Sequence, residues 1–182
     1  MATLKINERL CIRSYKLKDA EALFNCIDSS RKHLRPWLTW VDATTRQEHS
    51  VQFIKNAWAD EDLQKGLALG IFLEEKLIGG IGMHEWDHYL NRAQIGYWMV
   101  PAMQGKGIMQ ECASRFISFL FEKLKLNKVE IHYLPANTRS AALAARLGAQ
   151  VEGIIRHSVM VLGKPEDMVV SGILRSEWSP AR

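Results

Sequence analysis

Gly105, Lys106 and Gly107 stand between an apolar run that ends at Val100-Pro101 and a stretch of helical periodicity that opens at Ile108. The order strand, glycine turn, helix is suited to anion chemistry. Glycine accepts backbone conformations in which successive amide N–H groups face one point. A helix start adds unpaired N–H groups and the positive end of the helix dipole. Together they fit a pyrophosphate, and Lys106 places a charge beside it. Two other phosphate signatures are excluded. A P-loop requires glycine where Val100 stands and Ser or Thr where Gly107 stands. A dinucleotide fingerprint starting at Gly105 requires a third glycine where Gln110 stands. A short Gly-x-Gly also fits a plain helix-start turn, so the flanking elements must decide.

Those elements are readable from periodicity. Arg9 to Tyr15 alternates apolar and polar residues and predicts a strand. Lys18 to Ser30 carries Ala20, Leu23, Phe24 and Ile27 at helical spacing, and Pro36 argues against helix through Leu34 and Arg35. Thr45 and Glu48 have capping-box spacing ahead of Val51, Ile54 and Trp58, which line one helical face. Leu67 to Leu73, Lys76 to Trp86 and Ala93 to Val100 predict three strands in an antiparallel meander. From Gly107 to Leu126 the period is helical, with Ile108, Cys112, Phe116, Leu120 and Leu124 every four residues. Lys128 to Leu134 predicts a strand and Ser140 to Leu147 a short helix closed by Gly148. Val151 to Val161 and Met168 to Leu174 predict two more strands around a Gly163-Lys164-Pro165 turn. The order implies a mixed α+β fold around one sheet.

The 182 residues favour a single domain, and no repeat or linker marks a boundary. A net charge of +4 is too mild for a dedicated nucleic-acid binder. No secretory h-region and no run of membrane-spanning length is visible. Cys11, Cys26 and Cys112 are odd in number and far apart, which predicts neither disulfides nor a metal site and fits the reducing cytoplasm. A homodimer stays open, since dimers are the commonest oligomers.

The sequence resembles the GNAT N-acetyltransferases, in particular the RimJ/RimL-like branch that acetylates ribosomal-protein N-termini. The resemblance rests on Ile95-Gly96-Tyr97-Trp98, on Gln104-Gly105-Lys106-Gly107-Ile108, on Asn137-x-x-Ser140 with Leu147-Gly148, and on Trp37-Leu38-x-Trp40. It runs from Arg9 to about Glu177. It implies a mostly antiparallel twisted sheet flanked by helices, with acetyl-CoA as cosubstrate and a primary amine, most readily a protein N-terminus, as acceptor. It also implies that the strand ending near Val100 splays from its neighbour to admit pantetheine. Met99 and Val100 would pair with the pantetheine. The amides from Gln104 through Gly105, Lys106, Gly107 and Ile108 to Met109 would hold the pyrophosphate. The Met99 N–H would act as oxyanion donor, Asn137 would bond the pantetheine amide, and Ser140 would serve the leaving sulfur. Trp37, Trp40, His84 and Tyr97 would line the acceptor side. Ala102 replaces the Gln or Arg frequent in the wider superfamily.

Acetyl transfer needs a neutral amine. Candidate bases cluster at His84, Glu85, Asp87 and His88. His84 and Glu85 face opposite ways on a strand; His84 and Asp87 are the favoured pair, acting directly or through water. The same run also fits a solvated strand end. Gln94 stands where a carboxylate base is frequent in the family, and Ala144 where a tyrosine acid is frequent. Ser140 equally fits a helix cap and Asn137 a turn after Pro135. The cluster Arg31, Lys32, His33 and Arg35 reads as a solvated basic turn or as recognition of an acidic or polypeptide substrate. Three functions remain: N-terminal protein acetylation, acetylation of a small amine (polyamine, amino acid or antibiotic), and acetyl-CoA sensing without turnover.

Overall fold

The computed structural model of the chain describes residues 2–180. A sheet of eight strands runs in the order β1-β2-β3-β4-β5-β6-β8-β7. In chain order these are β1 (Thr3–Lys5), β2 (Leu10–Ser14), β3 (Leu67–Leu73), β4 (Lys76–Asp87), β5 (Arg92–Met99), β6 (Lys128–Tyr133), β7 (Gln150–Val161) and β8 (Lys164–Leu174). Four α-helices accompany them: α1 (Ala20–Leu34), α2 (Gln47–Asp62), α3 (Ile108–Glu122) and α4 (Thr138–Arg146). Among the described residues the β5–β6 ladder alone is parallel. A parallel neighbour demands a crossover, and α3 is that crossover.

Two apolar clusters sit on the two sheet faces. On one, Cys112, Ala113, Phe116, Ile117 and Leu120 of α3 pack fully buried against Ile95, Val129 and Ile131. Leu143 and Ala144 of α4 join them. On the other, Leu23, Ile27 and Leu34 of α1 and Ile54 of α2 pack with Tyr15, Phe72 and Leu77. At roughly 1.5–3 kcal/mol per fully buried large side chain, each cluster strongly favours its layer. The strand alternation serves both: Ile81, Met83 and Ile95 point into the α3 cluster, and Trp98 packs on the α1–α2 cluster.

The structure corrects three local expectations and adds one strand. α1 continues to Leu34, and Arg35 keeps helical angles although Pro36 follows. The Arg35 N–H still donates to Arg31, and the amides of Trp37 and Leu38 both return to Leu34; the missing proline N–H costs one bond in a turn already ending. The Thr45–Glu48 capping box does not form: α2 starts one residue after Arg46, with no side-chain cap, and the Thr45 amide donates to His49 Nδ1. The β7–β8 turn is Leu162–Gly163, both at positive φ, while Lys164 and Pro165 already belong to β8 opposite Val161 and Met160. β1, only three residues long, carries too little periodicity to be read in advance.

Candidate active site

The parallel ladder between β5 and β6 runs from Arg92↔Lys128 to Ile95↔Ile131 and then stops. β5 nevertheless continues to Met99, held by β4 alone. Val100 N–H donates to the Ile78 carbonyl at 2.9 Å. Hydrogen bonds alternate along an antiparallel pair, so the amides of Tyr97 and Met99 point the other way, into the gap beside β6. This is the splay the family resemblance implies, with the Met99 N–H directed into it. The Met99 carbonyl accepts from Gln104 Nε2 at 3.3 Å.

The glycine turn follows at the end of β5. Gly105 and Gly107 have φ of +76° and +77°, and a Cβ built on either meets nothing within 4 Å. Both therefore need glycine for conformation while facing open space. Gly107 is the N-cap of α3 and its carbonyl takes the Glu111 amide. Between Gln104, whose amide donates to Pro101, and Glu111, the amides of residues 105–110 have no protein acceptor among the described residues. Six free N–H groups on an open surface at a helix start form an anion cradle. Lys106 is exposed beside it, its Nζ 3.8 Å from Met103 Sδ.

Across the gap, Asn137 caps α4: its Oδ1 accepts the Ser140 amide at 3.1 Å. The expectation that Ser140 caps the helix is corrected, because Ser140 sits a turn inside it. Its hydroxyl instead lies 2.9 Å from the Tyr97 phenol. Tyr97 thus faces the α4 side of the gap. Burial raises its pKa, with the Ser140 hydrogen bond pulling the other way, so the phenol stays protonated at neutral pH.

Gln104 joins distant parts. Besides Met99, its amide meets His33 Nε2 of α1 at 2.7 Å and accepts from the Arg139 guanidinium of α4. The neighbouring basic cluster is mostly committed to structure. Arg31 donates to the carbonyls of Val41 and Thr44 and pairs with Asp28, and Arg35 pairs with Asp42. These bonds hold the segment that carries Trp37 and Trp40. Trp40 packs edge-on against Trp98, their rings 6.3 Å apart. Trp37 lines an open groove of about 620 Å³ with Leu134, Pro135 and Ala136 on one side and the β7–β8 hairpin on the other.

The predicted bases separate. His84 lies on the sheet face of Gly82 and Gly96, its Cε1 3.6 Å from where a Gly96 Cβ would stand. Although part of the residue is exposed, desolvation of the ring lowers its pKa; Glu85 opposes this and His132 adds to it. A neutral imidazole at pH 7 follows. Asp87 does not join it, which corrects the expected His84–Asp87 pair. Its Oδ1 accepts the amides of Tyr89 and Leu90, and it pairs with Arg92. It ends β4 opposite Arg92, the first residue of β5, about 23 Å of extended strand from Met99. A tight turn and an arginine account for its place.

Sequence reading missed His132. It lies one residue past the last β5–β6 pair, near enough to His84 for their charges to interact. Its Nε2 is 3.0 Å from Glu130 Oε2. Glu130 is buried, yet Lys128, Arg92 and His132 outweigh desolvation and hold its carboxyl below the usual range. The available signal was the alternation Glu130-x-His132 at the end of a strand. Among the described residues no group of His, Cys, Asp and Glu is placed to hold a metal ion.

The profile of the acetyltransferase (GNAT) domain family matches residues 9–150. The chain belongs to that family. YdaF of Bacillus subtilis (strain 168), provisionally named a ribosomal N-acetyltransferase, is 33% identical over 98% of both chains. The [Ribosomal protein uS5]-alanine N-acetyltransferase of Escherichia coli (strain K12) is 27% identical over 96% of this chain and 92% of its own. Among solved structures, the microcin C7 self-immunity acetyltransferase MccE, in complex with acetyl-CoA and AMP, is 26% identical with a TM-score of 0.90, covering 93% and 94% of the two chains. This GNAT protein is therefore an N-acetyltransferase that uses acetyl-CoA, and its eight-stranded α+β fold is that of the family.

Proposed function

We propose that the chain transfers acetyl from acetyl-CoA to the α-amine of a protein N-terminus, a ribosomal protein being the first choice. The observation that carries this is the open groove between Trp37 and the β7–β8 hairpin, which meets Leu134 and Pro135 just beyond the end of β6. A trough open along one side admits a chain that continues past the reacting amine. Acceptor chemistry agrees. Presenting a neutral α-amine at pH 7 costs about 1 kcal/mol, against more than about 4 kcal/mol for a lysine. The modest base available here, a partly desolvated imidazole, suits the former. YdaF and the uS5-alanine enzyme carry names that point the same way.

In this reading the amides of residues 105–110 and Lys106 hold the pyrophosphate, while the β5 edge at Met99 and the Asn137 side-chain NH₂ meet pantetheine; the expected Val100 contact is dropped, because its amide is tied to Ile78 and its carbonyl accepts from Met103. The Met99 N–H stabilises the oxygen of the tetrahedral intermediate. His84, with His132 beside it, takes the amine proton directly or through water, and the Ser140 hydroxyl bonds the departing sulfur. Residues 1–182 act as one N-acetyltransferase domain in the cytoplasm.

A second reading, acetylation of a small amine, is favoured by the likeness to MccE and its bound AMP. An amine panel separates them: N-terminal peptides, lysine peptides and spermidine with acetyl-CoA, followed by thiol release. The peptides with free α-amines are expected to turn over fastest. A spermidine rate above theirs would reverse the assignment, and thiol release from none would favour a sensor.

A further inference from the structure

Tyr97 and Ser140 face each other across the gap at 2.9 Å, and either oxygen can donate. Tyr97 lies two residues past the last pair between β5 and β6, and Ser140 lies on α4. A serine hydroxyl carries one proton and accepts through two lone pairs. If Ser140 donates to Tyr97, it has no proton left for a sulfur atom. If Tyr97 donates, the Ser140 proton is free to turn into the gap. Among the described residues the Ser140 hydroxyl has no hydrogen-bond partner besides Tyr97. Tyr97 itself has no second hydrogen-bond partner among the described residues.

We propose that Tyr97 is a positioning residue, donating its phenol hydrogen to Ser140 Oγ and so aiming the Ser140 hydroxyl at the sulfur of coenzyme A. This rests on the role given to Ser140 above. The amine lone pair forms the C–N bond to the thioester carbonyl carbon. The C–S bond breaks with its electron pair left on sulfur, and the amine proton goes to His84 or water. Nothing is oxidised or reduced. The sulfur anion accepts from Ser140 O–H, and Ser140 Oγ accepts from Tyr97 O–H. The proton of Tyr97 stays in place. A phenol has a pKa of about 10, and burial raises that of Tyr97 further, so its proton is held. The two-link chain stabilises the thiolate without protonating it.

The test titrates coenzyme A itself, bound to the full chain, by thiolate absorbance against pH. In the native protein the bound thiol should titrate about one unit below the value found for free coenzyme A in the same buffer. Tyr97→Phe, which keeps the ring, should return about half of that shift, roughly a threefold change in the ionisation constant. Ser140→Ala should abolish the shift, and the double variant should match Ser140→Ala alone. Fluorotyrosine at position 97, a stronger donor of nearly the same size, should lower the thiol pKa further, an effect that packing alone does not produce. A Tyr97→Phe titration identical to the native one, a native thiol at its free value, or a double variant above Ser140→Ala would overturn the proposal. The titration needs no acceptor, so an inactive peptide panel would sink the acceptor assignment and leave this result standing.

Discussion

The two ends of β5 have the same strand geometry and opposite fates. At its start, Arg92 to Ile95 are paired on both sides, and the side chains there knit a closed network: Asp87 with Arg92, and Arg92, Lys128 and His132 with Glu130. At its end, Tyr97 to Met99 are paired on one side only and lead into six amides that no acceptor among the described residues takes. Charge is thus neutralised internally at one end, while hydrogen-bond donors are left for a ligand at the other. The residue types alone suggest the reverse, because the acidic and histidine-rich run is at the closed end. In the proposed reading, chemistry follows where pairing stops, more than where titratable residues are densest.

The contrast breaks most visibly at Gly107. Gly107→Trp forces an L-residue to a φ of +77° and fills the cradle; acetyl-CoA affinity by calorimetry should fall about a hundredfold, or ~2.7 kcal/mol, with the far end undisturbed. Ser140→Ala is expected to lower kcat by about tenfold, ~1.4 kcal/mol, with little change in cofactor affinity, since Asn137 rather than Ser140 caps α4. His84→Ala should cost several-fold at pH 7 and flatten the acidic limb of the rate–pH profile. A base works when neutral, and its native pKa lies below the ordinary 6.5, so the native limb should fall off only below that pH. An identical profile in the variant would remove it as base.

The smallest effect on turnover belongs to the closed end. Asp87→Asn should leave kcat and KM within twofold of native. Its consequence is in acid stability. The turn amides of Leu90 and Tyr89, with Arg92, hold the Asp87 carboxyl below its ordinary value. Its folded pKa is depressed, so its contribution is present above the unfolded carboxylate range and is lost as pH falls through the native pKa. The stability gap between native protein and Asp87→Asn, measured by denaturant at several pH values, should close on acidification.

The long helix, the meander and the glycine turn were legible because each rests on local rules: the spacing of Cys112, Phe116 and Leu120, the alternation in β3 to β5, and the glycines at 105 and 107. What escaped depends on distance in sequence. Asp87 looked like a partner for His84, but the twist and turn at Tyr89–Leu90 claim it. His132 and Glu130 lie on a strand nearly fifty residues beyond His84, and only the sheet order brings them onto one face. Ser140 satisfied two local rules; Asn137 takes the capping role, and the Ser140 hydroxyl meets Tyr97, on another element. The helix end at Leu34 was obscured for the same reason, since Arg31 is tied to carbonyls ten and thirteen residues on.

The anion cradle is built from main-chain atoms, which every amino acid supplies alike. Selection on the sequence can therefore exchange most side chains around it, provided two positions retain a dihedral angle that few residues tolerate. Such a device is cheap in information.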